Sequence, residues 1–122
     1  MNGAPFQPAI AAGLRLGDDY YERYTADLQA KRDRLNRYLV DAGFTVYPTE
    51  GTFFTTVDIT PVGATDSIEF ALSLPERAGV VAVPSAVFYQ DRANGRHQAR
   101  FCFAKTDELL DEAGERLVEA FG

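Results

Sequence analysis

The longest regular pattern in this sequence is a helical repeat of apolar residues between Tyr20 and Ala42. The apolar positions lie three, four or seven residues apart, and they are Tyr24, Leu28, Leu35, Leu39 and Ala42. This spacing predicts an amphipathic helix of about six turns. Gly43 follows in the place where a left-handed residue commonly ends a helix, and Asp18 or Asp19 is suited to cap its start.

Three further helices are predicted around this long one. A short helix over residues 5–16 is rich in Ala, Ile and Leu, and another over residues 66–78 begins with Asp66 as an acidic capping residue. Pro75 lies inside the second of these and is expected to kink or split it, because its nitrogen has no hydrogen to donate. A last helix begins at Thr106, and its predicted buried stripe consists of Leu110, Ala113, Leu117 and Phe121.

Strand patterns alternate with these helices. Four strands are predicted over residues 44–47, 52–58, 80–83 and 98–104, and residues 87–89 also begin like a strand. In the last strand Ala99, Phe101 and Phe103 share one face, whereas Arg100 lies on the other. The order α-α-β-β-α-β-β-α predicts an α+β or α/β fold, in which a small mixed or antiparallel sheet is covered by helices.

Composition excludes several classes of protein. The 122 residues fit a single domain, and 46% hydrophobic with 25% charged residues is ordinary for a globular chain. The formal charge of −6 disfavours binding to nucleic acid. Cys102 and His97 are the only residues of their types, so neither an internal disulfide nor a Cys/His metal motif is possible. No apolar run reaches the ~18 residues of a membrane span, and a cytoplasmic location is expected.

Arg100 is the strongest candidate for a functional residue. It stands in an aromatic strand, where a long cation is unexpected, and a strand-borne guanidinium suits two-pronged binding of a carboxylate. The alternative is a structural arginine, which either pairs with one of the eighteen acidic residues or extends along a sheet edge to solvent.

Gly51, Phe53 and Phe54 form a second candidate. A glycine before an aromatic strand allows a ligand to approach the backbone, and two rings can line an apolar pocket. The alternative is a turn glycine followed by core rings. Lys31 and Lys105 are the only lysines, and neither has neighbours that would lower its pKa for use as a nucleophile.

Taken in order, these segments resemble the C-terminal domain of class I/II aminotransferases, the fold-type I pyridoxal-phosphate enzymes. The resemblance begins near Phe6 and covers nearly the whole chain. It rests on six segments in the family's order, namely Tyr24–Leu39, Ala42–Val46, Glu50–Phe54, Arg77–Pro84, Arg100–Lys105 and Asp107–Leu117. The sequences of these segments are most similar to those of the branch that contains kynurenine, glutamine, methionine and N-succinyldiaminopimelate aminotransferases. Ser85 departs from the pattern, because the family's serine lies one place later.

The resemblance implies roles for individual residues. Arg100 would bind the substrate α-carboxylate, and Gly51, Phe53 and Phe54 would lie on the side of the domain that closes over the substrate. Tyr89, with its neighbour Phe88, would lie near the entrance of the pocket.

The resemblance also implies what lies outside this sequence. Residues 1–122 would be one substrate-recognition domain, and a large domain before Met1 would carry pyridoxal phosphate, its lysine and its phosphate ligands. No cofactor is therefore expected for this chain alone. The intact enzyme would be a homodimer that transfers an amino group between an amino acid and a 2-oxo acid. The alternative from another class is a stand-alone binding module that keeps the fold without catalysis.

Overall fold

The computed structural model describes residues 3–122, which form four α-helices and one four-stranded sheet. The helices are α1 (Gln7–Gly13), α2 (Asp18–Asp41), α3 (Ser67–Ala78) and α4 (Asp107–Phe121). The strands are β1 (Thr45–Val46), β2 (Phe54–Asp58), β3 (Val83–Pro84) and β4 (Gln98–Cys102). Their order along the chain is α1-α2-β1-β2-α3-β3-β4-α4, which confirms the predicted order and fold class. None of the helices in this range is long and apolar enough to cross a membrane.

The sheet is antiparallel throughout, with the strand order β1-β2-β4-β3. Strands β2 and β4 are therefore the two inner strands, and β4 lies between β2 and β3. Arg100 of β4 lies opposite Thr56 of β2 and opposite Val83 of β3. Burial alternates along β2 and β4, because successive side chains point to opposite faces. One face lies on the core, and the other carries half-buried residues, including Arg100.

The helices cover the core face of the sheet. Leu39 of α2, Leu74 of α3 and Leu117 of α4 are each fully buried. Phe44, just after α2, packs its ring 5.9 Å from the ring of Phe70 in α3. This core joins three helices to one side of the sheet and leaves the opposite face of β2 and β4 open.

The helix ends largely follow the predicted capping. Gly43 and Gly79 adopt left-handed backbone with φ of 92° and 63°, and they end α2 and α3. The Asp66 carboxylate accepts hydrogen bonds from two backbone N–H groups of α3 at 2.9 and 3.1 Å, and the Thr106 hydroxyl accepts one from α4. The start of α2 is a correction: Gly17 is its capping residue, and Asp18 and Asp19 lie inside the first turn.

Helix α3 corrects the expectation for Pro75. The helix is continuous from Ser67 to Ala78, so the proline does not split it. Pro75 lies in the last turn, where its missing N–H removes only the bond to the carbonyl of Ala71. Its own carbonyl accepts from the N–H of Gly79 at 3.0 Å, so the helix still closes normally.

The strands are shorter than their sequence patterns. Strand β2 begins at Phe54, because Thr52 has a φ of 64° and cannot continue an extended strand. The strand expected over residues 80–83 is instead Val83–Pro84, which forms the sheet edge where proline is tolerated. The strand beginning at residues 87–89 is wrong, since Ser85–Phe88 forms a 3₁₀ helix.

Candidate functional site

Arg100 lies on the open face of the sheet, on the inner strand β4. The guanidinium carbon is 4.3 Å from the centroid of the Phe54 ring and 4.7 Å from the centroid of the Phe88 ring. Phe54 begins β2, whereas Phe88 ends the 3₁₀ helix that follows β3. The two rings therefore reach Arg100 from elements on opposite sides of β4. Both distances are within the range of a favourable cation–π interaction.

The charge of Arg100 has no acidic partner in residues 3–122. No carboxylate oxygen in this range lies within 4.0 Å of its nitrogens. Arginine side chains that do donate hydrogen bonds in the described range are Arg23, Arg32, Arg34, Arg96 and Arg116. The ion pair considered as an alternative for Arg100 is thus not formed by the residues that the structure describes.

Arg100 faces an open cavity of about 260 Å³ between β2, β4 and the 3₁₀ helix. Phe54, Phe88 and Tyr89 provide its aromatic lining. The polar lining comes from Thr52, Thr56, Ser85 and Gln98. Ser85 is also part of the lining, but its hydroxyl oxygen is buried and has no hydrogen-bond partner within residues 3–122.

The predicted site residues are brought together only in part. Arg100, Phe54 and Tyr89 share the cavity. Gly51 lines a neighbouring cavity of about 270 Å³ beside α2, and Thr52 lines both. Phe53 lines neither of the two, but its ring packs 4.5 Å from the ring of Phe54. Gly51 and Phe53 therefore adjoin the Arg100 cavity without lining it.

Sequence reasoning missed Thr56 and Gln98 as lining residues. Gln98 could have been predicted, because it lies two residues from Arg100 on the same face of the strand. Thr56 lies opposite Arg100 in a register that the sequence did not predict. Ser85 was noted only as a departure from the family pattern. Its burial depends on the 3₁₀ helix, which the sequence pattern did not indicate.

A close backbone contact positions the 3₁₀ helix Ser85–Phe88 beside Arg100. A Cβ added to Gly95 would lie 2.7 Å from the backbone nitrogen of Ala86 and 2.7 Å from the carbonyl carbon of Ser85. The carbonyl of Gly95 also accepts a hydrogen bond from the buried hydroxyl of Ser67, at 3.1 Å. Gly95 thus lets its loop pack directly on the helix that carries Phe88.

Comparison with known proteins decides the family. The family model described as aminotransferase class I and II matches residues 3–117, which is nearly the whole chain. The chain belongs to the class I and II aminotransferase family. The resemblance inferred from the six segments is thereby confirmed.

Among curated members of this aminotransferase family, the chain is 42% identical to a probable N-succinyldiaminopimelate aminotransferase of Mycobacterium tuberculosis. That match covers 96% of this chain and 32% of the relative. The chain is 36% identical to the methionine aminotransferase of Escherichia coli, over 93% of this chain and 29% of the relative. The chain therefore spans about a third of the length of the curated aminotransferases that it matches.

Solved aminotransferase structures share the fold. The N-succinyldiaminopimelate aminotransferase from M. tuberculosis superimposes with a TM-score of 0.87, over 97% of this chain and 31% of that structure. The E. coli methionine aminotransferase superimposes with a TM-score of 0.83, over 94% of this chain and 30% of that structure. The small helix-covered sheet is thus a recurrent part of these larger aminotransferases.

The aminotransferase family implies pyridoxal phosphate, and the described lysines do not suit a covalent link to it. Such a lysine needs a lowered pKa so that a neutral amine is available. The Lys31 ammonium instead donates to Asp27 at 2.8 Å, and this bond raises the lysine pKa. Lys105 is exposed at the start of the segment that leads into α4. Within residues 3–122, no group of three or more His, Cys, Asp or Glu side chains is arranged to hold a metal ion.

Proposed function

We propose that this chain is the substrate-recognition domain of an aminotransferase, the small domain at the C-terminal end of the enzyme. In this proposal the enzyme transfers an amino group between an amino acid and a 2-oxo acid, and Arg100 binds the α-carboxylate of both. The observation that carries the proposal is the guanidinium of Arg100, which faces an open cavity without an acidic partner in residues 3–122.

The chemistry of a guanidinium supports this assignment. Its N–H groups form a planar fork that matches the two oxygens of a carboxylate, and the charge strengthens each bond. Because β4 is an inner strand, the backbone of Arg100 is held between two neighbouring strands. A rigid carboxylate contact also fixes the direction of the substrate's Cα–H bond, which favours reaction at that carbon.

A carboxylate contact is also compatible with the variety of the relatives. They are named for methionine, kynurenine and N-succinyldiaminopimelate. These compounds differ in their side chains but share an α-amino carboxylate. A residue that binds the shared group would serve each of them, and side-chain recognition would come from other positions.

We assign supporting positions to the other predicted residues. Phe54 and Tyr89 would line the substrate cavity beside Arg100. Gly51 and Phe53 adjoin the cavity, and they would form the part of the domain that moves against the substrate when the enzyme closes. Thr56 and Gln98 add hydrogen-bonding groups at the cavity wall.

The surface of the first two helices supports the presence of a further domain. Neither the described residues 3–17 nor the first half of α2 contains a buried residue. Large apolar side chains are exposed there, and they are Phe6, Ile10, Leu14, Leu16, Tyr20, Tyr21 and Tyr24. So many exposed large apolar side chains within residues 6–24 indicate an interface. We assign it to the rest of the polypeptide, which would hold pyridoxal phosphate and form the homodimer.

The test uses a chimeric enzyme, in which this chain replaces the matching third of the M. tuberculosis relative. Arg100 is then substituted in this chimera. Arg100→Ala should lower kcat/KM for amino-acid substrates, because a carboxylate would lose its charged partner. The expected loss of transition-state stabilisation is about 2–4 kcal/mol. Arg100→Lys should recover only part of this loss, since it keeps the charge without the fork.

The matched control is an amine substrate that lacks the carboxylate. Its kcat/KM should change little in either variant, because it never contacts the guanidinium. A folded Arg100→Ala enzyme with unchanged kcat/KM for amino acids would contradict the proposal. Equal losses for both kinds of substrate would also contradict it, since they would indicate a structural arginine.

A further inference from the structure

The guanidinium of Arg100 can be approached in two distinct ways. Its flat faces stack on aromatic rings, whereas its five N–H groups point outward in the plane. Aromatic contacts therefore use the faces and leave the edges for a carboxylate. A site that needs the edges free is best served by neighbours that bind only through the faces.

The two rings around Arg100 contact its charge without competing for its N–H groups. Phe54 and Phe88 contact the guanidinium at 4.3 and 4.7 Å, and phenylalanine has no hydrogen-bonding group that would compete for the N–H edges. Phe88 keeps 60% of its surface exposed, so its ring contributes little to the core. Within residues 3–122 this ring forms no aromatic pair, and its cation–π contact is with Arg100.

The fold places these rings on either side of one strand. Phe54 lies two residues from Thr56, the register partner of Arg100, so its ring is a diagonal neighbour across β2 and β4. Phe88 comes from the other side, on the 3₁₀ helix that Gly95 allows to pack closely. The ring of Phe53 packs against the ring of Phe54, with the ring centroids 4.5 Å apart.

We propose that Phe54 and Phe88 are positioning residues, which hold the guanidinium of Arg100 by its faces and keep its N–H edge directed to the substrate carboxylate. This inference rests on the proposed function of Arg100. It adds that the two aromatic residues act through Arg100 rather than only as pocket lining.

The first experiment measures the rings' effect on Arg100 itself, by ¹⁵N relaxation of the Arg100 Nε–H group in the 122-residue chain. Phe54→Leu and Phe88→Leu should each increase the motion of this group, because an apolar residue without a ring remains. Phe54→Tyr and Phe88→Tyr should keep the motion low. Tyr47→Leu is the matched control, since it removes an exposed ring that does not line the cavity.

The second experiment titrates the same variants with sodium acetate against sodium chloride at equal ionic strength. Acetate should shift the Arg100 Nε–H signal of the unchanged chain, and each leucine variant should weaken this binding about three- to tenfold. In the chimeric enzyme, the leucine variants should lower kcat/KM for amino acids more than kcat/KM for the amine without a carboxylate, since both rings also line the cavity. In the Arg100→Ala background this difference between the two kinds of substrate should disappear.

The outcomes separate this inference from the proposed function. If acetate binds Arg100 but the leucine variants change neither its motion nor its affinity, the positioning role is overturned and the proposed function stands. If acetate does not affect Arg100, and Arg100→Ala leaves the chimera's amino-acid kinetics unchanged, the proposed function and the inference both fail. Leucine variants that impair amino acids and the amine substrate equally would also overturn the positioning role.

Discussion

Two arginines in this chain show how the surroundings of one residue type decide its use. Arg34 of α2 donates to both carboxylate oxygens of Asp111 at 2.9 and 2.8 Å, and its second nitrogen lies 3.3 Å from Asp107. These two carboxylates neutralise the charge of Arg34, and the contact joins α2 to α4. Arg100 has the same charge and the same fork, but aromatic rings surround it and no acid in residues 3–122 neutralises it. Of these two arginines, only Arg100 has no acidic partner in residues 3–122, which is why we propose it for an external carboxylate.

The pairing of Arg34 makes a prediction about acid stability. The hydrogen bond from Arg34, assisted by one from Tyr38, holds the pKa of Asp111 below its usual value. A group whose pKa is lower in the folded state stabilises the fold above its unfolded pKa, and the stabilisation disappears as the pH falls through the folded pKa. Asp111→Asn should therefore reduce the stability near pH 7, and it should make the loss of stability on acidification shallower.

Urea unfolding from pH 7 down to pH 2 would measure this effect. Asp41→Asn is the matched control, because Asp41 is exposed and forms no ion pair within residues 3–122. It should leave the acid dependence close to that of the unchanged chain. An Asp111→Asn variant with an unaltered stability profile would show that the ion pair contributes nothing to the folded state.

At the scale of elements, the contact between α2 and α4 depends on a missing side chain. Gly114 is buried in α4, and a Cβ at this position would overlap the ring and Cβ of Tyr38 in α2. Gly114→Ala should therefore destabilise the chain by about 1–3 kcal/mol, although alanine is the better helix former. Gly13→Ala in α1 is the matched control, since nothing lies within 4 Å of its added Cβ. Thermal unfolding of both variants would test this, and equal midpoints would contradict a close helix contact.

The elements also show where sequence reasoning succeeds. Helices α2 and α3 were predictable because their signals are local: apolar spacing, the Asp66 cap, and Gly43 and Gly79 at the ends. Strands were predicted less well, because a strand exists only where a distant partner bonds to it. Val80 and Ala82 are buried, as an apolar run suggests, yet only Val83 and Pro84 pair with β4.

The candidate site was predictable only where its signals are local in the sequence. The aromatic strand made Arg100 conspicuous, and the family resemblance supplied its expected role. The neighbours that define its cavity come from segments far apart in the sequence, so spacing alone could not assemble Phe54, Phe88 and Ser85 around it. The link between Arg34 and Asp111 spans 77 residues and was equally invisible.

At the scale of the whole molecule, the fold divides into two unequal parts. The sheet and its three covering helices share one core, whereas α1 and the start of α2 extend beyond it with exposed apolar residues. Leu35 and Leu39 are buried in that core and Leu28 packs against it, so α2 is anchored to the core from Leu28 onward. The chain therefore has a core of its own together with exposed apolar residues of the kind found at interfaces.

The last prediction follows from this division: the 122-residue chain should not catalyse amino transfer when pyridoxal phosphate is supplied. Catalysis requires a lysine with a lowered pKa, but the bond to Asp27 raises that of Lys31, and Lys105 is exposed on the surface. We expect no oxo-acid product above that of free pyridoxal phosphate, and no preference for one lysine after borohydride reduction and peptide mapping. Lys31→Arg and Lys105→Arg should behave like the unchanged chain, since neither amine is specifically used. Turnover above the free cofactor that is lost in one of these variants would place a catalytic lysine in this domain, and the division of roles between two domains would then be wrong.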